Sequence, residues 1–268
     1  MRSRTNGADY EIMIHQLSSV HADAQLAAGV EIGPFTTISE DVTIGENTWI
    51  GPNVTIMPGA RIGDNCHIFP GAVISAIPQD LKFDGESTTV EIGDRTTIRE
   101  CVTINRGTKA YGKTTIGTDC LIMAYVHVAH DCIIGNQVIL VNSVALAGHV
   151  EVGNWAIISG LSAVHQFVKI GAHAMIGGGA MVRKDVPPFI TAAGEPLAYA
   201  GVNSVGLKRR GFTTEEILEI QDLYRIIYQS GRNISQAVDR IRSGFTLNDR
   251  VQALLTFIEL SDRGLIRK

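Results

Sequence analysis

From Val20 to Val182 every sixth residue is Val, Ile or Leu, the exceptions being Asp80, Glu86 and Ala110. A helix returns to its buried face every ~3.6 residues and a strand every ~2, so neither alone produces a period of six. With the aliphatic residue counted as first, the fifth place of each hexad is small or β-branched, as at Thr36, Val42, Thr48, Val54, Ala60, Cys66 and Ala72. The second place is often glycine, as at Gly33, Gly45, Gly51, Gly63, Gly93, Gly117, Gly135, Gly153, Gly171 and Gly177. The pattern predicts a stacked repeat in which one large and one small side chain point inward per hexad. Glycine is read here as the residue that permits the corner conformation. Cys66, Cys120 and Cys132 fall in the small inward slot and are expected to be buried, inert thiols.

Two stretches leave the rhythm, residues 76–89 and residues 105–115, and both rejoin it in phase, at Ile92 and Ile116. Loops inserted into a rigid repeat are favoured places for function. Pro187 and Pro188 cannot continue the repeat, and they are expected to end it. After a connector, Thr213 and Glu216 have capping-box spacing and precede Ile217, Ile220, Tyr224, Ile227 and Tyr228 at helical intervals, with Gly231 as the stop. Further helices are expected over residues 235–242 and 248–262, the last with Leu254, Leu255 and Ile258 on one face. This tail is too short for a robust core of its own and should pack on the coil or on a neighbouring subunit. The domain reading is therefore a coil over residues 13–190 and a connector with a helical region over 191–268. Residues 1–12 read as a tag or disordered extension, with Met13 a natural initiator; N-terminal sequencing of the native protein tests that.

Composition changes this picture little. A net charge of -4 and a pI near 6.1 give no case for nucleic-acid or membrane binding. No apolar run approaches the roughly 18 residues of a membrane span, and the N-terminus lacks the apolar segment of a signal peptide. A cytoplasmic location is expected, and the cysteine spacing, which is neither a zinc pattern nor a disulfide frame, agrees with it.

The histidines carry the candidate chemistry. If three hexads make one coil, residues eighteen apart stack at about 4.8 Å, the inter-strand spacing. His130, Gly148 and Gln166 then share one column, with His149 and His165 a step to either side and His127 at the border. His173 and His67 fall elsewhere. A histidine followed at once by a carboxylate, His130 with Asp131, is suited to general-base work. The alternatives are a hexapeptide-repeat zinc carbonic anhydrase, with His127, His130 and His149 as ligands, and a non-enzymatic β-helix scaffold. The scaffold predicts a regular Thr-rich flat face, which this chain lacks.

The hexads resemble those of the hexapeptide-repeat acyltransferases, which implies a mainly β fold: a left-handed parallel β-helix, here with a C-terminal α-helical domain. The segments around Gln79 and Lys82, His-Val-Ala-His-Asp at 127–131, Leu146 to His149, His165 with Gln166, Pro187 with Pro188, and Lys208 to Phe212 narrow the match. They resemble the acyl-[acyl carrier protein]–UDP-N-acetylglucosamine O-acyltransferase family, which opens lipid A synthesis. The N-acyltransferases of the same pathway add an N-terminal globular domain, for which there is no room before Val20.

The resemblance implies His130 as the base that deprotonates the sugar 3-hydroxyl, Asp131 as its orienting carboxylate and the Gly148 N–H as oxyanion donor. It implies sugar or pantetheine contacts from Asp80, Lys82, His127, His149, His165 and Gln166, and nucleotide contacts from Asn203 and Arg209. Lys208 and Arg210 are read as part of an anionic docking surface for the carrier protein. Val205 stands where the family can carry an acidic uridine contact. Gly178 matches the acyl-chain ruler, and a glycine there implies a longer 3-hydroxyacyl chain. No metal and no cofactor are expected, because the phosphopantetheine arm arrives on the carrier protein. The family closes into a homotrimer with its sites between neighbours.

Overall fold

The computed structural model describes residues 11–268; the first ten residues of the expected N-terminal extension lie outside the described residues. Two-residue strands follow one another at the hexad interval and sort by threes into three sheets. The first face begins at Met13–Ile14, the second at Ser19–Val20 and the third at Gln25–Leu26. Successive strands on each face pair in parallel, as in Met13 with Glu31 and Ser19 with Thr37. The fold is a left-handed parallel β-helix of triangular section.

The six-residue period is the core itself. Ile38, Ile44, Ile50, Ile56, Ile68 and Ile74 are fully buried, and the small residues of the fifth place sit beside them. Where that small residue is polar its hydroxyl is satisfied: Thr36 donates to the Gly51 carbonyl and accepts from the Val54 N–H. Burial pushes the inward thiols up, Cys66 to about 11 and Cys132 to about 12, with Cys120 raised for the same reason. They are buried, as expected.

The role assigned to the repeat's glycines needs correction. The left-handed corner falls at the fourth place, not the second, and is taken mostly by residues other than glycine, among them Asp41, Asn47, Asn53 and Asn65 at φ 52–56°. The second-place glycines have ordinary backbone. A Cβ on Gly33 would lie 2.8 Å from the Gly51 carbonyl carbon of the next coil. Coil-to-coil contact therefore selects glycine there, and the corner itself selects Asn and Asp, whose short side chains tolerate that conformation.

The excursions separate Ala76 from Thr89 and Asn105 from Lys113. Val73 pairs with Thr103 and Thr103 with His127, so the first takes two hexads out of the register and the second takes one. Together they remove one coil's worth of sequence, so the cycle positions before and after them agree. From Lys113 to Val182 the eighteen-residue register is unbroken, and His127, Ala145, Ala163 and Met181 stack on the second face.

The prolines do not close the first face. Ile190–Ala193 adds one more parallel strand beside Met175–Ile176, and Ala198–Val202 pairs antiparallel with it. A short helix missed in the connector, α1 (Ser204–Arg209), follows Asn203, whose side chain caps it. Then come α2 (Thr214–Gln229), α3 (Ile234–Gly244) and α4 (Asp249–Glu259). The capping box of Thr213 and Glu216 is present, and Leu254 and Leu255 are buried. The fully buried Tyr224 donates its hydroxyl to the Pro188 carbonyl at 2.5 Å, tying α2 to the end of the coil.

Candidate active site

The corner between the second and third faces is where the polar residues gather. Each turn there runs through a third-place residue and a fourth-place residue with left-handed backbone. The fourth-place column reads Asp131, His149, Phe167, at φ 59, 61 and 64°. The third-place column reads His130, Gly148, Gln166, joined to the other by His149 N–H donating to the His130 carbonyl and Phe167 N–H to that of Gly148.

Asp131 is completely buried. Its Oδ1 accepts the N–H groups of Thr108 and Tyr111, at 3.0 and 3.2 Å; its Oδ2 accepts the Thr108 hydroxyl and His130 Nδ1–H, at 2.7 and 2.8 Å. Burial alone pushes this carboxyl up, but the hydrogen bonds from His130 and Thr108 outweigh it and hold the group below its ordinary value. The second excursion thus cradles the carboxylate, and Thr114 further accepts the Asp131 N–H through its hydroxyl. With Asp131 ionised, His130 carries its proton on Nδ1, and Nε2 is left as the free basic nitrogen.

Gly148 presses on that ring. A Cβ at position 148 would lie 2.6 Å from both Cε1 and Nε2 of His130. Among the described residues nothing in the protein accepts the Gly148 N–H. The site therefore combines an imidazole held at one nitrogen by a buried carboxylate with an unengaged backbone donor one coil away.

His149 packs between rings. It stacks on Phe167 at 4.5 Å and meets Tyr111 and His130 edge-on, both at 5.1 Å. Burial is the main reason its pKa lies below the usual imidazole range, and the nearby Asp131 and Asp80 carboxylates work against that shift. Asp80, on the first excursion, is therefore brought to this corner, and its Oδ1 accepts the Lys82 N–H. His149 Nδ1 is buried without a partner among the described residues, a state that costs about 1–3 kcal/mol unless a ligand supplies one. His127 hydrogen-bonds Thr103 through Nδ1 at 2.8 Å, and burial lowers its pKa too. His165 and Gln166 are exposed at the far end of the corner.

The zinc reading fails on the donor set. His130, Asp131 and His149 are the residues that come within ligand distance of one another, without His127. The four lone-pair directions of the Asp131 carboxylate are already filled by Thr108 (twice), Tyr111 and His130.

Three expected residues lie on other corners of the same chain. Gly178 is between the first and second faces, and a Cβ there would find its nearest neighbour, the Gly160 carbonyl oxygen, at 3.5 Å. Asn203 and Arg209 are at the corner between the third and first faces. Asn203 is committed locally, capping α1 and donating to the His173 carbonyl, whereas Arg209 is exposed. Val205 there is exposed and offers no carboxylate. Beside them Arg210 lies over Trp155 and against His173 Nδ1. Burial, reinforced by that cation, takes the His173 pKa down to about 4. Sequence reasoning missed Thr108, Tyr111 and Thr114, whose only signal was the glycine-rich second excursion, and Phe167, whose only signal was its place one coil beyond His149.

The model of bacterial transferase hexapeptide repeats matches residues 41–76 and 113–148, and that of domain 2 of UDP-N-acetylglucosamine O-acyltransferase matches 185–266. An acyl-[acyl-carrier-protein]–UDP-N-acetylglucosamine O-acyltransferase of Chlorobaculum tepidum is 58% identical over 91% of this chain and 93% of its own. One from Herminiimonas arsenicoxydans is 45% identical over 95% of this chain and 99% of its own. Among solved structures, the UDP-N-acetylglucosamine acyltransferase of Bacteroides fragilis superposes with a TM-score of 0.94 at 49% identity, covering 95% of this chain and 100% of its own. That of Arabidopsis superposes at 0.83 and 33%, with the same coverage.

Proposed function

The chain belongs to the acyl-[acyl-carrier-protein]–UDP-N-acetylglucosamine O-acyltransferase family, and on that premise we propose that it moves a 3-hydroxyacyl chain from acyl carrier protein to the 3-hydroxyl of UDP-N-acetylglucosamine, with His130 as general base. This is the opening step of lipid A synthesis. The observation that carries the base assignment is the 2.8 Å contact between His130 Nδ1 and the buried Asp131 carboxylate, which favours the proton on Nδ1 and leaves Nε2 as the acceptor.

The 3-hydroxyl oxygen attacks the thioester carbonyl as its proton passes to Nε2. An alkoxide is inaccessible at neutral pH, whereas an imidazole accepts the proton as the C–O bond forms. Asp131 stabilises the imidazolium that results. The carbonyl oxygen gains negative charge, for which the unengaged Gly148 N–H is a suitable donor. Collapse breaks the C–S bond, and His130 returns its proton to the departing thiolate of the carrier arm. The thioester supplies the driving force, so the reaction needs no cofactor of the enzyme's own.

His149, with its unpartnered Nδ1, and His127, Asp80, Lys82, His165 and Gln166 bind sugar or pantetheine in this reading. Asn203 and Arg209 bind the nucleotide, and Gly178 leaves the acyl groove open. Because those last three lie on other corners, the assignment goes with a homotrimer in which one protomer's His130 corner meets a different corner of its partner. No helix of the described residues is long and apolar enough to cross a membrane; a cytoplasmic site of action goes with a carrier-protein and a nucleotide substrate. Labelled UDP-N-acetylglucosamine incubated with a panel of 3-hydroxyacyl carrier proteins should give the 3-O-acyl product, with longer chains preferred. Transfer to the nitrogen or no transfer at all would reject the proposal.

A further inference from the structure

The C-terminal tail beyond α4 returns to the catalytic corner. Asp185, fully buried, accepts the Lys169 N–H on Oδ1 at 2.8 Å and, on Oδ2, the Ser261 hydroxyl at 2.6 Å and the Arg263 N–H at 3.3 Å. Its own N–H donates to the Gly264 carbonyl, and its carbonyl accepts the Ile266 N–H. Four of these five hydrogen bonds reach the tail and fix its path across the end of the coil, and the fifth ties Asp185 to the coil itself. The path delivers the Arg263 guanidinium to the next tier of the active corner. Its Nη2 donates to the Gln166 carbonyl at 3.0 Å, and its Cζ lies 5.9 Å from the centre of the Phe167 ring. Among the described residues no carboxylate pairs with this guanidinium, although the neighbouring Asp262 carboxylate lies 3.5 Å from Lys169 Nζ.

A cation aimed along a substrate corner, with most of its donors free and no counter-charge, is a built receptor for an anion. Resting on the acyl-transfer reading above, we infer that Arg263 anchors a substrate phosphate, the phosphodiester of the carrier's pantetheine arm. Position favours that source. Gln166 is two coils from His130, roughly 10 Å along the axis, and the Arg263 guanidinium stands at its carbonyl. The diphosphate of a sugar whose 3-hydroxyl touches His130 is only one ring away from the base. The arm's phosphodiester is separated from the reacting thioester by the whole pantetheine chain. Asp185 is then a positioning residue that acts through Arg263.

Two donors that differ by one phosphate test this: 3-hydroxyacyl-4′-phosphopantetheine and the same thioester of unphosphorylated pantetheine. Wild type should prefer the phosphorylated donor about tenfold in kcat/KM, as befits one partly exposed charge-assisted contact. Arg263→Ala should lose that preference with its Tm and its KM for UDP-N-acetylglucosamine unchanged, and Arg263→Lys should keep most of it. An equal preference in wild type and Arg263→Ala overturns the inference. A rise confined to the KM of UDP-N-acetylglucosamine overturns the carrier-arm assignment and gives the guanidinium to the nucleotide. Failure of wild type to acylate UDP-N-acetylglucosamine from any donor would instead remove the reaction on which the inference rests.

Discussion

Gly148→Ala separates the positioning of His130 from every other contribution at the site. The substitution keeps the Gly148 N–H, so the proposed oxyanion donor survives. It adds a single methyl group whose ideal position is 2.6 Å from His130 Nε2 and Cε1, against about 3.4 Å for ordinary contact. The ring must therefore give way by roughly 0.8 Å at the nitrogen that takes the proton. It is tethered at the other nitrogen by the 2.8 Å bond to Asp131, so the displacement swings Nε2 off line rather than shifting the ring as a block. Misplacement on that scale costs on the order of 100-fold in rate, or about 2.7 kcal/mol of barrier. Stability should move little. Gly148 does not have left-handed backbone, and alanine at a compatible position gains about 0.4–1 kcal/mol from the unfolded state, offsetting part of the local repacking. Steady-state kinetics with both substrates varied, alongside thermal unfolding, is the assay. The expected result is a kcat lowered about 100-fold at a Tm within a few degrees of wild type. A kcat within about threefold of wild type would refute the reasoning, because it would mean that the ring's position against Gly148 does not matter to turnover.

Asp131→Asn should lower kcat by 10²–10⁴, because a carboxamide presents a donor where His130 or Thr108 now donates, and the wrong tautomer follows; full activity would reject the orienting role. The same variant has a pH signature. The folded Asp131 pKa lies below the reference value of 3.8, so its stabilising contribution is present above that pH and is lost as pH falls through the folded value. The stability gap between wild type and Asp131→Asn, read from denaturant melts, should accordingly shrink below about pH 4, and a gap that widens there contradicts the assignment. Gly178→Met should move donor preference to shorter chains without a loss of Tm, since a Cβ at 178 meets nothing closer than the Gly160 carbonyl oxygen at 3.5 Å; an unchanged chain profile counts against the ruler. Asn203→Ala should lower stability by about 1 kcal/mol through the lost α1 cap, whereas the exposed Arg209→Ala should leave the melt unchanged and raise the KM for the nucleotide sugar. Mixing the inactive His130→Ala with Arg209→Ala chains in one assembly should restore part of the activity if each site draws on two protomers. No recovery above the parents would place the whole site in one chain.

Much of this molecule is written in one-dimensional order because its contacts are one-dimensional. Ile38 packs on Ile56 and Ile56 on Ile74 at a fixed step along the chain, so counting by six finds the core and counting by eighteen finds the column of His130, Gly148 and Gln166. The caps at Thr213, Asn233 and Asn248 are likewise local, and α2, α3 and α4 follow from them. What stayed hidden depends on contacts that the period does not encode. The four hydrogen bonds on the Asp131 side chain come mainly from an excursion that has left the repeat. The glycine at the second place answers to the coil above it, which composition alone does not reveal. Arg263 lies nearly a hundred residues from Gln166 in sequence and reaches it only because Asp185 folds the tail back. Gly178 shares the third place of the hexad with His130 but not its eighteen-residue column, and Asn203 and Arg209 lie beyond the repeat, so counting by eighteen links none of them to His130.

The most direct test of the central claim is the turnover of His130→Ala with UDP-N-acetylglucosamine and its preferred 3-hydroxyacyl carrier protein. The account predicts a kcat reduced at least 10²-fold, with an unaltered melt and a KM for each substrate close to wild type. Retention of most of the turnover would contradict it, because the fixed proton on Nδ1 and the free Nε2 would then have no part in the reaction.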